Sequence, residues 1–437
     1  MLKKFGPSIK ITIIATASGF GLHFLMAKVL SAEEYGTYNF IFNLSMTVMV
    51  FAMLGLQNGI VRFIPTYRLY ARSNQYITRL IRFSTLFTLT TGIISGMAVF
   101  GLIYLFGPQD KFSDFILMLG AISVPAVVLN RLQASMLQGF KKSAASIFYE
   151  SALRDFLMLA LFILLLFYAM QSEVSIMNGA TALIVWIGAT LLTVCVSTVQ
   201  ILRLLSSLSD QESAGNETHP TENPSAGPLY WIKTSAPMFL IAVSKRLMRR
   251  TDIFILGFMV DLALVGAYAL AVQIANGVMM VHKPAEAVFS PRAAESYARN
   301  DITRLGRQYW QSTLMMGGPT LVFSVIAALV VPYLLPYLGE GYMEGYNALL
   351  LLLLTTVIGS WMGPAGKLLI MTKYEVAAMK IKISTMTGNV LFTPVMVFYM
   401  GIEGAAFVTL IMTALQKALC LQFAFRKKLF QDIPASA

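Results

Sequence analysis

The sequence predicts an all-α integral membrane protein of about twelve transmembrane helices, arranged as two pseudo-twofold-related six-helix lobes around a central cavity. Three observations carry that expectation. Of 437 residues 57% are hydrophobic and only 12% are charged, with a mean hydropathy of +0.69. Apolar stretches long enough to cross a bilayer recur along the whole chain. Short motifs from the first half return, in order, in the second. A soluble chain carries about 25% charged residues, so lipid rather than water must solvate most of this one.

The apolar stretches fall near 9–30, 37–60, 80–106, 114–138, 146–169 and 177–202, then near 231–258, 263–288, 308–335, 346–370, 376–400 and 403–425. The first is too long for a signal-peptide core and is read as span one. The segment Ser206–Gly227, rich in Ser, Asn, Gly and Pro, separates the two sets and reads as a flexible linker. The predicted organisation is an N-terminal six-helix lobe (1–203), a cytoplasmic linker (204–229), a C-terminal six-helix lobe (230–428) and a cytoplasmic tail (429–437). The Asn216-Glu217-Thr218 sequon lies in that linker and is discounted.

Charge sets the orientation. The net charge of +12 belongs to loops on one side of a twelve-span arrangement. Lys3, Lys4 and Lys10 precede span one, and Arg68, Arg72, Arg79 and Arg82 lie between spans two and three. Lys141 and Lys142 follow span four, and Arg292, Arg299, Arg304 and Arg307 follow span eight. Lys373 follows span ten, and Arg426, Lys427 and Lys428 end span twelve. The alternate loops, such as Ser31-Ala32-Glu33-Glu34, are short and neutral or acidic. Both termini are therefore expected in the cytoplasm, with the protein in the inner membrane. Nothing outside the spans suggests a nucleic-acid surface. Cys195 and Cys420 each lie in an apolar run and read as packing residues, with no metal-ligand spacing.

Tyr35-Gly36-Thr37-Tyr38 corresponds to Val265-Gly266-Ala267-Tyr268. Tyr70-Ala71-Arg72-Ser73-Asn74 corresponds to Tyr297-Ala298-Arg299-Asn300-Asp301, and Ile77–Arg82 (ITRLIR) to Ile302–Arg307 (ITRLGR). Lobes with an even number of spans enter from the same side, so a twofold along the membrane normal is expected, an architecture common among transporters.

Span seven is the chemical outlier. Lys245, Arg246, Arg249, Arg250 and Asp252 crowd its middle. At helical spacing Lys245, Arg249 and Asp252 share one face, and Arg246 and Arg250 a neighbouring one. Four cations facing lipid would cost on the order of 10 kcal/mol, so a hydrated, positively charged cavity is expected; the plain alternative is a shifted helix whose cations snorkel to an interface. Span five carries Glu150 and Arg154, spaced as a self-neutralising i,i+4 pair, and Glu150 is also a candidate proton carrier. Span one carries His23 and Lys28; His23 is either a packed histidine or a proton carrier. Arg131, Lys283, Lys367, Lys380, Lys382 and Lys417 sit in the cytoplasmic thirds of their spans, where they either snorkel or line an anion-attracting vestibule. Pro125, Pro237, Pro284, Pro364 and Pro394 mark potential kinks.

Gly363-Pro364-Ala365-Gly366-Lys367 lacks the spacing of a Walker A loop, and HExxH and GxSxG patterns are missing. No enzymatic activity and no cofactor are expected, and uphill transport would draw on a proton or sodium gradient.

Leu30-Ser31-Ala32-Glu33-Glu34-Tyr35-Gly36-Thr37-Tyr38 with a basic loop after span two resembles the polysaccharide-exporting branch of the multidrug/oligosaccharidyl-lipid/polysaccharide flippase superfamily. Arg250-Thr251-Asp252-Ile253-Phe254-Ile255-Leu256-Gly257 leading to Val265–Tyr268 extends the likeness over nearly the whole chain. The resemblance implies a flippase for an isoprenoid-pyrophosphate-linked oligosaccharide, working by alternating access in surface polysaccharide biosynthesis. A polysaccharide polymerase or ligase would share its pathway, and membrane lipids and an anionic lipid-linked glycan would be its partners. Lys245, Arg246, Arg249 and Arg250, with Lys28, Arg154, Arg131 and Lys283, would hold pyrophosphate and acidic sugars. Glu150, Asp252 or His23 would couple transport to protons. A cation-coupled exporter of small organic molecules on the same fold remains a second reading, and a multispanning polymerase or acyltransferase a third.

Overall fold

The structure is a computed structural model describing residues 18–68, 73–106, 111–172, 177–213, 227–339 and 341–429. Lys3, Lys4, Lys10, Arg72 and the Asn216 sequon lie outside these residues, as do the side chains of Lys245, Arg249 and Lys283. The described residues form helices and turns: α1 (18–29), α2 (Ala32–Ala52), α3 (Leu56–Tyr67), α4 (Ser73–Phe106), α5 (Asp114–Gly139), α6 (Ser143–Ile147), a π turn (Phe148–Ala152), α7 (Leu153–Ser172) and α8 (Gly179–Ser213). They continue as α9 (Pro228–Met259), α10 (Leu262–Val278), a 3-10 turn (Met279–Val281), α11 (His282–Ala298), α12 (Ile302–Leu338), a 3-10 turn (Tyr342–Gly345), α13 (Tyr346–Trp361), α14 (Ala365–Met371) and α15 (Glu375–Arg426).

Seven of these are long and apolar enough to cross a membrane, and the bent pair α2–α3 makes an eighth. The 52 residues of α15 would run about 78 Å as one helix, far beyond a hydrocarbon core of about 30 Å. Gly401, at φ 58° and ψ −138°, divides it. Ala378 on one side and Cys420 and Ala424 on the other share one apolar cluster, and the Tyr374 and Phe423 rings lie 5.5 Å apart. The two halves therefore fold back as a hairpin. Counted this way, with α6–α7, α10–α11 and α13–α14 each as one interrupted span, the described residues make twelve helical segments. Large apolar side chains such as Leu86, Met97, Phe398 and Tyr399 stand fully outward, as lipid-facing residues do.

Proximity divides the chain into two compact units, one of Met1–Leu30 and Thr37–Leu247, the other of Ser31–Gly36 and Met248–Ala437. The division thus falls within α9, whereas the sequence places a boundary in the polar segment 204–229. Helix α8 continues through Ser213, ten residues into that segment, because Arg203-Leu204-Leu205-Ser206-Ser207-Leu208 still holds helix-compatible apolar spacing.

In the first unit, the second span breaks where Leu54 and Gly55 take φ of 43° and 82°, bending α3 from α2 by 50°. Gly55 is required twice over: its φ favours glycine, and a Cβ there would lie 2.3 Å from the Ser235 carbonyl of α9. Trp231 of α9 donates its indole N–H to the Tyr67 hydroxyl at 2.7 Å, closing the far end of that contact. Helix α5 starts at Ser113, whose hydroxyl accepts from the Ile116 N–H, a side-chain N-cap. Ser45 and Ser123 join α2 to α5 through a 2.7 Å hydrogen bond. Gln133 joins α5 to α8 by donating to Thr198 at 2.7 Å and accepting from Ser197.

In the second unit, the start of α2 crosses α10 with no side chain between them. A Cβ on Gly36 would fall 1.8 Å from the Leu262 carbonyl oxygen, and one on Gly266 would fall 2.0 Å from the Ala32 carbonyl oxygen. The contact is reciprocal: each glycine faces the carbonyl four residues before the other, as small-xxx-small packing allows. Tyr342 seals it, its ring edge-on to Tyr35 at 6.1 Å and its hydroxyl reaching the Ser31 carbonyl. Each half also carries a helix interruption beyond this crossing, at Met53–Gly55 after α2 and at Met279–Val281 after α10.

The break between α13 and α14 occurs at Gly363, φ 64°, next to Pro364. Its carbonyl, which cannot join either helix, accepts from Lys417 Nζ at 2.7 Å. Of the two alternatives for Lys417, the structure therefore gives neither a snorkelling nor a vestibule cation but a plug for an orphaned backbone acceptor. Pro125 and Pro394 lie inside helices that continue on both sides of them.

Gly36→Ala or Gly266→Ala should destabilise the protein by at least about 2 kcal/mol, because backbone must move to admit the methyl. Gly318→Ala, at a helical glycine with open space around its Cα, should be neutral or slightly stabilising. Thermal unfolding in detergent, followed by cysteine-independent aggregation, measures all three. Lys417→Met should lower stability by about 1–3 kcal/mol through the lost charge-assisted bond, with Lys417→Arg losing less.

Candidate functional site

The cations of span seven sit in mid-helix. Arg246 is 18 residues after Pro228 and 13 before Met259, roughly 27 and 20 Å from the two helix ends at 1.5 Å per residue. Both distances exceed the reach of an arginine side chain, so its guanidinium stays within the length of α9. The helix is continuous through 245–252, so the face-sharing expected from helical spacing holds for the backbone of all five positions.

Within the first unit, Arg246 reaches α2. Its Nε donates to Thr47 Oγ1 at 3.0 Å, and its Nη2 donates to the Asn43 carbonyl at 3.1 Å and to Asn43 Oδ1 at 3.4 Å. Asn43 and Thr47 are buried and belong to a polar ladder. Asn43 Nδ2 donates to the Asn39 carbonyl, and Thr47 Oγ1 to the Asn43 carbonyl, each at 2.9 Å. Sequence reasoning did not single out this ladder, although Asn39, Asn43 and Thr47 recur every four residues inside an apolar span. That spacing puts them on one face and was the available signal.

Glu150 and Arg154 do not form the i,i+4 pair that their spacing suggests. Glu150 lies in the π turn Phe148–Ala152, whose i→i+5 bonding adds a residue to that turn and rotates Arg154 off the glutamate's face. Glu150 instead makes an ion pair with Arg131 of α5. Arg154 binds the neighbouring Asp155, Nη2 to Oδ1 at 2.8 Å and Nε to Oδ1 at 3.0 Å. Both Arg154 and Asp155 are shielded, with side chains 13% and 16% exposed. Asp155 is a membrane acid that the sequence reading missed. Its other oxygen, Oδ2, lies within 3.3 Å of where a Gly19 Cβ would stand, one turn from His23 on the same face of α1. The His23 ring is 6.5 Å from that of Tyr38. Lys28, at the end of α1, is exposed.

Within the second unit, Asp252 is held by α10. Tyr268 donates its hydroxyl to Asp252 Oδ2 at 2.6 Å, and the Ile253 N–H donates to Oδ1 at 2.9 Å. Tyr268 is fully buried and lies two residues beyond the crossing glycine Gly266, so the packing that fixes α10 also fixes the partner of this acid. Among the described residues no group of three His, Cys, Asp or Glu could hold a metal ion.

Span seven thus brings Arg246 to a polar ladder and Asp252 to a tyrosine, while Arg131, Glu150, Arg154 and Asp155 form two ion pairs around the π turn. In each unit these ionisable groups hold protein partners, as charged groups within a membrane span require.

The fold is shared with solved transporters. The chain superposes with a TM-score of 0.70 on an inward-facing multidrug resistance MATE family transporter of the MOP superfamily, at 15% identity over 98% of this chain and 96% of that one. Lipid II flippase MurJ, in an inward closed conformation, matches with a TM-score of 0.72 at 13% identity, over 97% of this chain and 88% of that one. A MOP superfamily transporter from Pyrococcus furiosus, described as having a binding pocket of reverse polarity, matches with a TM-score of 0.55 at 14% identity, over 98% and 96% of the two chains. No curated protein sequence matches significantly. Residues 1–297 match the family model for polysaccharide biosynthesis proteins. With the family model covering both the first six spans and the cationic seventh, the chain belongs to the polysaccharide biosynthesis protein family, on the multi-pass membrane fold of the flippases and transporters of the MOP superfamily.

Proposed function

We propose that this flippase-superfamily protein translocates an isoprenoid-pyrophosphate-linked oligosaccharide across the inner membrane for surface polysaccharide assembly, by alternating access. The observation that carries the reading is the run of four cations in mid-helix on α9, in a chain of the polysaccharide biosynthesis family. A pyrophosphate is a compact multivalent anion, and guanidinium groups bind phosphate through paired, charge-assisted hydrogen bonds. Arg246, pre-oriented by Asn43 and Thr47, together with Arg250, Lys245 and Arg249, would receive the pyrophosphate and any acidic sugar. The polyprenyl tail would stay in lipid, since each buried CH₂ favours the bilayer by about 0.8 kcal/mol. The basic loops support cytoplasmic termini, and the product would pass to a polymerase or ligase of the same pathway.

Coupling belongs in this proposal to acids that already hold a partner. Protonating Glu150 would release Arg131, and protonating Asp252 would weaken its grip on Tyr268; His23, one turn along α1 from Gly19, is a third proton acceptor. Arg154, neutralised by Asp155, takes a supporting rather than a substrate-binding part.

The test is a deletion strain. Isoprenoid-linked repeat units should accumulate in its lipid extract and surface polysaccharide should vanish, with the wild-type gene restoring both. An unchanged lipid pool with normal surface glycan would refute the substrate, and loss of drug resistance alone would favour a small-molecule exporter. Arg246→Ala, Arg249→Ala and Arg250→Ala should each reduce complementation at least tenfold while the protein stays in the membrane at normal level. Glu150→Gln should reduce transport and flatten its response to an imposed proton gradient. The exchange Arg131→Glu with Glu150→Arg should recover thermal stability without recovering that response, whereas recovery of both would make the pair structural.

A further inference from the structure

The repeated motif I-T-R-L-x-R is left over by the transport reading. In both halves it opens a long helix: α4 carries Arg79 and Arg82, and α12 carries Arg304 and Arg307. The arginines, spaced i,i+3, stand exposed, while Leu80 and Leu305 at the centre of the motif are fully buried. The motif therefore fixes two cations outward at the first turns of each helix.

The second copy is assembled with further donors into an open depression, about 600 Å³ in volume, lined by Arg292, Asp301, Thr303, Arg304, Arg307, Gln308 and Gln311. Among the described residues none of its three arginines is in an ion pair; the neighbouring Glu295 is taken by Arg299 at 2.7 Å. The one acid, Asp301, is spent as the helix cap, accepting from the Arg304 N–H at 2.9 Å. Gln308 accepts from Ser296 Oγ at 3.1 Å through its carboxamide oxygen, which leaves its NH₂ as a donor. The lining is thus rich in donors, with three positive charges against one negative.

The residues that follow the depression along α12 have the order of a membrane interface. Along α12, exposed Trp310 follows Arg307 by less than a turn, and exposed Leu314 and Met315 follow within the next two. A tryptophan between an arginine cluster and lipid-facing aliphatics marks the headgroup region of the bilayer.

We propose that this three-arginine depression between α11 and α12 binds the phosphate of an anionic phospholipid headgroup. Arg292, Arg304 and Arg307 contact the phosphate oxygens, Gln308 and Thr303 bond the headgroup's remaining oxygens, and the acyl chains run along Trp310, Leu314 and Met315. The site is independent of the transported substrate. It gives the protein an affinity for anionic lipid that depends on the arginines of α12 rather than on the equivalent arginines of α4.

The test compares wild-type protein, Arg304→Gln/Arg307→Gln, and Arg79→Gln/Arg82→Gln as a charge-matched control. Each is purified in detergent and titrated with phosphatidylglycerol, phosphatidylcholine or inorganic phosphate, reading thermal stability and, by native mass spectrometry, retained lipid. Phosphatidylglycerol should stabilise the wild type and the α4 variant alike, phosphatidylcholine should not, and the α12 variant should bind phosphatidylglycerol about tenfold or more weakly, in keeping with the contribution of two surface arginines. Equal loss in both variants would reduce the effect to general surface charge and overturn the site. Stabilisation by inorganic phosphate equal to that by phosphatidylglycerol would overturn the lipid as its source, and no stabilisation by either would overturn the proposal. The substituted side chains are exposed, so unchanged elution and an unchanged Tm without lipid establish folding.

Discussion

The close approach of α2 and α10 at Gly36 and Gly266 is the constraint on which much of the second unit depends. With no methyl between them the backbones meet, and every neighbouring side chain must be placed accordingly. Tyr35 and Tyr342 fill the flank of the crossing. Gly345 lies against the Ala267 carbonyl, where a Cβ would stand at 2.7 Å, so the turn leading into α13 is fixed by the same contact. Two residues further along α10, Tyr268 holds Asp252 of α9. A packing requirement met by glycine thereby reaches an ionisable group of the candidate site. In lipid, where helices gain little from apolar burial against one another, such close contact is a principal means of holding them.

The second governing principle is that backbone groups inside the bilayer need partners. Where the helices run unbroken the backbone supplies its own, and threonine and serine hydroxyls bond back to carbonyls three or four residues earlier, as at Thr88, Thr190 and Thr193. Where helices break, side chains take over. Lys417 serves Gly363, and Tyr309 donates to the Met362 carbonyl of the same turn. Two residues thus stabilise one interruption. The cost of a broken span is met locally, which allows a non-helical turn to persist between α13 and α14.

What could be read from the sequence follows from the range of the interactions involved. Hydropathy and loop charge are local and repeated, so the spans emerged with boundaries close to those of the described helices. The ITRL repeats and the paired glycines were visible because duplication preserves order. The partners of the charges were another matter. Helical spacing placed Glu150 and Arg154 together, yet a π turn, which leaves no mark in hydropathy, redirected Glu150 to Arg131 and left Arg154 to Asp155. Lys417 looked like one more cation near a span end, because the carbonyl it serves lies 54 residues away. The Asn39–Asn43–Thr47 ladder had the right period but gained meaning only once Arg246 was seen to end on it. Side chains that answer one another across helices are set by tertiary packing, which one sequence does not display.

The reciprocity of the glycine crossing gives the contact a local symmetry. Gly36 faces the carbonyl of Leu262, and Gly266 faces that of Ala32, so exchanging the two segments reproduces the same contact. A surface that meets its own equivalent across a local dyad is what an isologous homodimer presents. The crossing therefore has the form of an isologous contact held within a single chain. The residue after the glycine differs between the two copies, threonine at 37 and alanine at 267, while the glycine is the same in both.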